Sequence, residues 1–116
     1  MGPAAQAARL RVAYGNKASA VATWSDCKNV RDRNDGGKYA LSGVVCDLRG
    51  HRVNILTFSN KRQEVVWAAL MCAFLPDQWL ILGAGFIVTV KDGNRAAAVA
   101  GKKAYGYRAY QCKLQT

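Results

Sequence analysis

The sequence has one histidine, His51, one glutamate, Glu64, and no Cys-x-x-Cys pair among its four cysteines. A zinc site of the usual spacing draws on paired cysteines and histidines, so none is expected. Metal-assisted phosphoryl chemistry needs clustered carboxylates. Asp26, Asp32 and Asp35 share one polar stretch and the other aspartates are scattered, so no metal or other cofactor is expected. The run Asp32-Arg33-Asn34-Asp35-Gly36 also departs from the spacing of a calcium loop, and no glutamate closes it. The N-terminus lacks the continuous apolar core of a secretory signal. Gln6 stands where N-myristoylation expects Ser or Thr. The longest apolar run, Val65 to Leu75, is too short to span a bilayer, so no transmembrane segment is predicted. Internal repeats, low-complexity tracts and the RNP, GxxG and zinc-knuckle signatures of RNA-binding modules are absent as well.

What is abundant is positive charge. Seventeen Lys and Arg oppose seven acids, for a net charge of +10 on 116 residues. Such a balance suits a polyanion, an acidic protein surface or an anionic membrane face. An apolar fraction of 51% argues against disorder, and the length predicts one domain over residues 1–116 with a single core. Residues 1–8 read as a loose lead-in.

The chain is organised around Arg52 to Asp92, read as strand, helix, strand. Val65 to Leu75 carries no polar stripe, as expected of a helix buried on all sides. Asn60 offers an N-cap with Gln63 at the third helical position, and Pro76 ends the helix. Lys38–Leu48 and Arg52–Ser59 are strand-like runs joined across Arg49-Gly50-His51. Gln78–Val90 reads as strand broken at Gly83-Ala84-Gly85, where glycines mark a bulge, a bend or a close backbone approach. Arg9–Tyr14 and Ala18–Trp24 suggest a hairpin, Asp26–Lys38 a surface loop, and Ala104–Leu114 a closing strand. The fold class that follows is α+β: a mainly antiparallel bent sheet or small barrel of four to six strands with one buried central helix.

The richest candidate surface is the C-terminal quarter, where Lys91, Arg95, Lys102, Lys103 and Arg108 interleave with Tyr105 and Tyr107. Rings beside cations suit a single strand, since bases stack on the rings and phosphates pair with the cations. The competing reading is that the tyrosines fill a pleated, half-buried sheet surface. Arg9, Arg11 and Lys17 form a second basic group near the N-terminus. Trp67 and Trp79 read as core, and Trp24 as a residue that could contact a partner.

Cys27, Cys46, Cys72 and Cys112 read as small buried hydrophobes with free thiols, which predicts a cytoplasmic protein. The alternatives are two disulfides in a secreted chain, or an organellar leader in the acid-free, Ala-rich residues 1–25. His51 reads as a turn residue among arginines; as a catalytic base it would need an orienting carboxylate such as Asp47. No catalytic residue is assigned. The reading that results is a non-catalytic nucleic-acid-binding protein that prefers single-stranded DNA or RNA. Two alternatives accompany it. One is a small basic accessory or inhibitor protein, by analogy with those of phages and plasmids, docking on an acidic surface of a cellular protein. The other is a ribonuclease-type toxin.

Overall fold

A computed structural model of the chain describes residues 13–75, 78–90, 105, 107 and 109–112. In chain order these form helix α1 (Ala18–Trp24), strand β1 (Lys28–Asp32), a 3-10 turn (Gly37–Tyr39), β2 (Ser42–Leu48), β3 (His51–Thr57), α2 (Lys61–Phe74), β4 (Trp79–Leu82), β5 (Phe86–Val90) and β6 (Ala109–Gln111). The strands make one open six-stranded sheet in the order β1-β2-β3-β5-β4-β6. Every neighbouring pair is antiparallel. The fold is α+β, as expected.

The β2–β3 hairpin follows from local chemistry. Leu48 pairs with His51, so the loop is Arg49-Gly50 alone, and both residues have positive φ, 50° and 83°. Two such residues give the backbone twist that matches a two-residue hairpin. The strand expected from Gln78 to Val90 is a second hairpin, β4–β5, turning at Ala84-Gly85. Gly85 has φ 98°, and a Cβ there would lie 2.3 Å from the backbone nitrogen of Tyr14. Glycine therefore meets two demands at once, the turn and a close backbone approach.

Two cores lie on opposite faces of the sheet. On one face, Val44, Cys46, Val53, Ile55, Phe86 and Val88 meet Ala18, Val21 and Ala22 of α1. On the other, Leu56, Phe58, Leu80 and Ile87 meet Trp67 of α2. Period-two alternation along β3 and β5 sends neighbouring residues to different cores.

Three elements differ from the sequence expectation. Ala18–Trp24 is a helix, not a strand. Its buried residues Ala18, Val21 and Ala22 follow helical spacing, and alanine is the best helix former. Lys17 precedes the helix without a side-chain cap; instead the Ala18 N–H donates to Ser42 Oγ of β2 at 2.9 Å. Within the expected loop Asp26–Lys38, Lys28–Asp32 is an edge strand with all five residues exposed. It has no apolar face of its own, and its backbone is organised by pairing with β2 beside the Cys27–Cys46 bridge. Finally, α2 begins and ends where predicted, with Asn60 Oδ1 accepting from the Gln63 N–H at 3.0 Å. It is not buried on all sides, however: Glu64 and Trp67 are its only buried residues. One helix on one face of a sheet can cover only the side that touches the sheet.

The cysteines also correct the expectation of free thiols in the cytoplasm. Cys27 bonds Cys46 and Cys72 bonds Cys112, with Cα atoms 5.7 and 5.0 Å apart, and no cysteine is left free. Such bridges form and persist under oxidising conditions, so they point to an oxidising compartment. Each pair joins residues distant in sequence, which cysteine spacing alone could not reveal. Among the described residues, no helix is long and apolar enough to cross a membrane. The expected N-terminal strand, Arg9–Tyr14, lies almost wholly outside the described residues.

Glu64, the single glutamate, ties three segments together. Its Oε1 accepts from the Tyr14 hydroxyl at 2.9 Å and from the Gly85 N–H at 2.8 Å. Burial raises its carboxyl pKa above the ordinary 4.5, although these two bonds and the Lys61 charge pull it back. The folded chain therefore holds a proton on Glu64 at pH values where the unfolded chain has released it. Stability should then fall as pH rises from about the ordinary carboxyl range through the raised native value, and level off above it. Glu64→Gln keeps the acceptor oxygen and removes the charge. Urea midpoints measured across that range should descend less steeply in the variant, with no loss at neutral pH. An unchanged descent would show that Glu64 is not its source.

Candidate nucleic-acid interface

Of the sequence-predicted surface, Lys17, Tyr105 and Tyr107 are among the described residues, and both tyrosines turn to the core. Tyr105 is fully buried, with its ring 5.5 Å from that of Phe86, and Ser25 Oγ donates to its hydroxyl at 2.9 Å. Burial pushes the Tyr105 pKa up to about 12. Tyr107 is half-buried and meets Phe86 edge-on at 5.4 Å, packed against the same core. A base cannot stack on Tyr105, and the rings of both residues serve the core beneath α1. Phe86 of β5 is what they cover, and a pattern of tyrosines carries no mark of which ring will be covered. Trp24 likewise packs against this core.

Lys17 is exposed at the start of α1 and makes no salt bridge among the described residues. Arg9, Arg11, Lys91, Arg95, Lys102, Lys103 and Arg108 lie outside the described residues. His51 closes the β2–β3 turn opposite Leu48. Asp47, its nearest carboxylate in sequence, is engaged by Asn29 Nδ2 at 2.8 Å and by Arg52 Nη1 at 3.1 Å. Those bonds, Asn29's first, lower its pKa from the ordinary 3.8. His51 therefore has no orienting bond from Asp47.

A different place brings a ring and cations together. Tyr39, Asn60, Arg62, Gln63 and Val66 line an open cleft of about 510 Å³ between the 3-10 turn and the first turns of α2. Tyr39 is half-buried against the second core but borders the cleft, and Lys38 Nζ lies over its ring, 5.3 Å from the centroid. Lys38, Lys61 and Arg62 are exposed and make no salt bridge among the described residues. Among the described residues no carboxylate lines the cleft, and Glu64 turns instead toward Gly85.

The local sequence explains this geometry. Asn34 Oδ1 accepts from the Gly36 N–H, and Gly37 has φ 55°, so the chain turns tightly and presents Lys38-Tyr39 beside α2. A Cβ on Gly36 would lie 2.5 Å from that of Ala40 and 3.3 Å from Trp67 Nε1, so only glycine allows the turn to seat so closely. Lys61 and Arg62 occupy the first turn of α2, where a cation opposes the helix dipole at a cost of about 0.3–1 kcal/mol. That misplacement was the legible signal for the cleft: two cations at a helix start do not serve the helix. Comparison with protein families, with characterised proteins and with solved structures yields no match for this chain.

Proposed function

We propose that this protein binds single-stranded nucleic acid without catalysis and holds one base–phosphate unit in the Tyr39 cleft. The observation that carries the reading is the cleft itself: an aromatic ring flanked by Lys38 and Arg62, with no carboxylate among the described residues on its walls. A base can displace Lys38 from the ring. An exposed cation–π contact is worth about 0.5–1 kcal/mol, whereas base–aromatic stacking is worth about 1–3 kcal/mol. The displaced ammonium then pairs with a phosphate, as does the Arg62 guanidinium. Asn60 and Gln63 offer amide groups to a base edge. Lys17 and the cations named in the sequence, Arg9, Arg11, Lys91, Arg95, Lys102, Lys103 and Arg108, add the long-range attraction of a chain with net charge +10.

Fluorescence anisotropy with labelled poly-dT and a duplex control tests the reading. Wild type should prefer the single strand. Lys38→Ala with Arg62→Ala should make the slope of log affinity against log salt shallower by about 1.4, at about 0.7 for each lost phosphate contact. Tyr39→Ala should weaken binding by about 1–3 kcal/mol at every salt concentration and leave the slope alone, because stacking releases few counterions. Circular dichroism keeps loss of fold apart from loss of binding. If wild type binds neither strand nor duplex at low salt, the reading fails and an acidic protein partner becomes the leading account.

A further inference from the structure

Asn60 holds two positions at once. Its Oδ1 accepts from the Gln63 N–H at 3.0 Å and so caps α2, and the same residue lines the Tyr39 cleft. An amide nitrogen cannot accept a hydrogen bond, so the cap fixes which way round the Asn60 amide stands. Turning it over would strand the Gln63 N–H, one of the donors that a helix start must satisfy. The Nδ2 group, on the other arm of the amide, has no acceptor among the described residues. Beside it stand the Arg62 guanidinium and the Lys38 ammonium, which can only donate. Of the lining side chains, the Gln63 amide and the Tyr39 hydroxyl are left to accept. No side-chain bond holds the Gln63 amide among the described residues, so it can present either end.

We propose that the cleft selects bases with a keto oxygen where cytosine and adenine carry an amino group, and that Asn60 discriminates between them. The inference rests on the single-strand reading above. With uracil or thymine on the Tyr39 ring, Asn60 Nδ2 donates to O4, and Gln63 Oε1 accepts from the N3–H. Cytosine in that place sets its N4 amino group against Nδ2, two donors face to face, and a desolvated N–H loses its acceptor. Gln63 can turn its amide to suit the cytosine N3. Asn60 cannot turn without uncapping α2. Guanine and adenine differ in the same sense, at O6 and N6. Stacking and phosphate contacts do not supply this choice, because every base has a ring face and the same phosphate.

Fluorescence anisotropy with labelled oligo-dU and oligo-dC of equal length tests the proposal. The two carry the same charge and ring size and differ only on the edge that bears O4 or N4. Wild type should bind oligo-dU at least about fivefold more tightly. Asn60→Ser keeps a capping oxygen and removes the amide donors, so that ratio should fall close to one while circular dichroism reports an intact helix. Asn60→Asp also keeps a cap and offers an acceptor to N4, so its ratio should reverse in favour of oligo-dC, whatever the added charge does to both affinities. Equal wild-type affinity for the two oligomers would overturn the proposal and leave the single-strand reading standing. A preference for oligo-dU that survives in Asn60→Ser would also overturn it, since another group would then read the base. Binding of neither oligomer at low salt would overturn the single-strand reading, and this proposal with it.

Discussion

Replacing Cys72 and Cys112 by alanine is expected to lower the unfolding free energy by about 4 kcal/mol. The bridge spans 40 residues of sequence and joins α2 to the residue after β6. Its main effect is to restrict the unfolded chain, and the restriction grows with the logarithm of the closed loop. The Cys27–Cys46 bridge, spanning 19 residues, should contribute about 3 kcal/mol by the same reasoning. For a chain of this size either value is a large share of a total near 5–15 kcal/mol. Equilibrium urea unfolding of the double alanine variant measures the effect. A loss below about 1 kcal/mol would mean that the unfolded chain is compact enough not to feel the crosslink. The C-terminal strand should be the first element to show lost amide protection, because β6 is three residues long and among the described residues pairs only with β4.

Trp67→Ala should destabilise the protein by about 3–5 kcal/mol, the range for removing a large buried aromatic. Trp67 is 6% exposed, and its ring centroid lies 6.1 Å from that of Phe58. It is the one apolar side chain of α2 that is buried, so the contact between helix and sheet depends on it more than on its apolar neighbours. Val65→Ala in the same helix gives the contrast. Val65 is 55% exposed, and its truncation should change stability by less than about 0.5 kcal/mol. Urea unfolding of the two variants checks both values. Equal losses would show that the outer side of α2 is covered after all.

Several parts of the molecule were legible because their causes are local. Asn60 caps α2 through a bond three residues away, and Arg49-Gly50 turns β2 into β3 between adjacent pairs. Ala18–Trp24 was misread, although its buried positions 18, 21 and 22 do follow helical spacing. Seven residues are too few for that period to stand out against alternation, and its first N–H is satisfied by Ser42, 24 residues away. Lys28–Asp32 carries no strand pattern, because an edge strand exposed along its length needs only a neighbour's backbone.

The candidate site was less legible than the fold. Tyr105 and Tyr107 look alike in sequence to rings on an open surface, and Phe86 decides otherwise. Tyr39 and Arg62 come together only because the Gly36-Gly37 turn seats beside α2. Their one local mark is the pair of cations at a helix start.

By itself the sequence determined the net charge of +10, the limits of α2, the main hairpin and the antiparallel α+β class. Each of these follows from composition or from contacts within a few residues. Tertiary structure alone decided which side of an all-apolar helix is covered, which cysteines meet and which tyrosines are buried. Those outcomes depend on contacts such as Cys72 with Cys112, and Tyr105 with Ser25, 80 residues apart. Burial and pairing are set by what folds against a residue, and no local pattern carries that information.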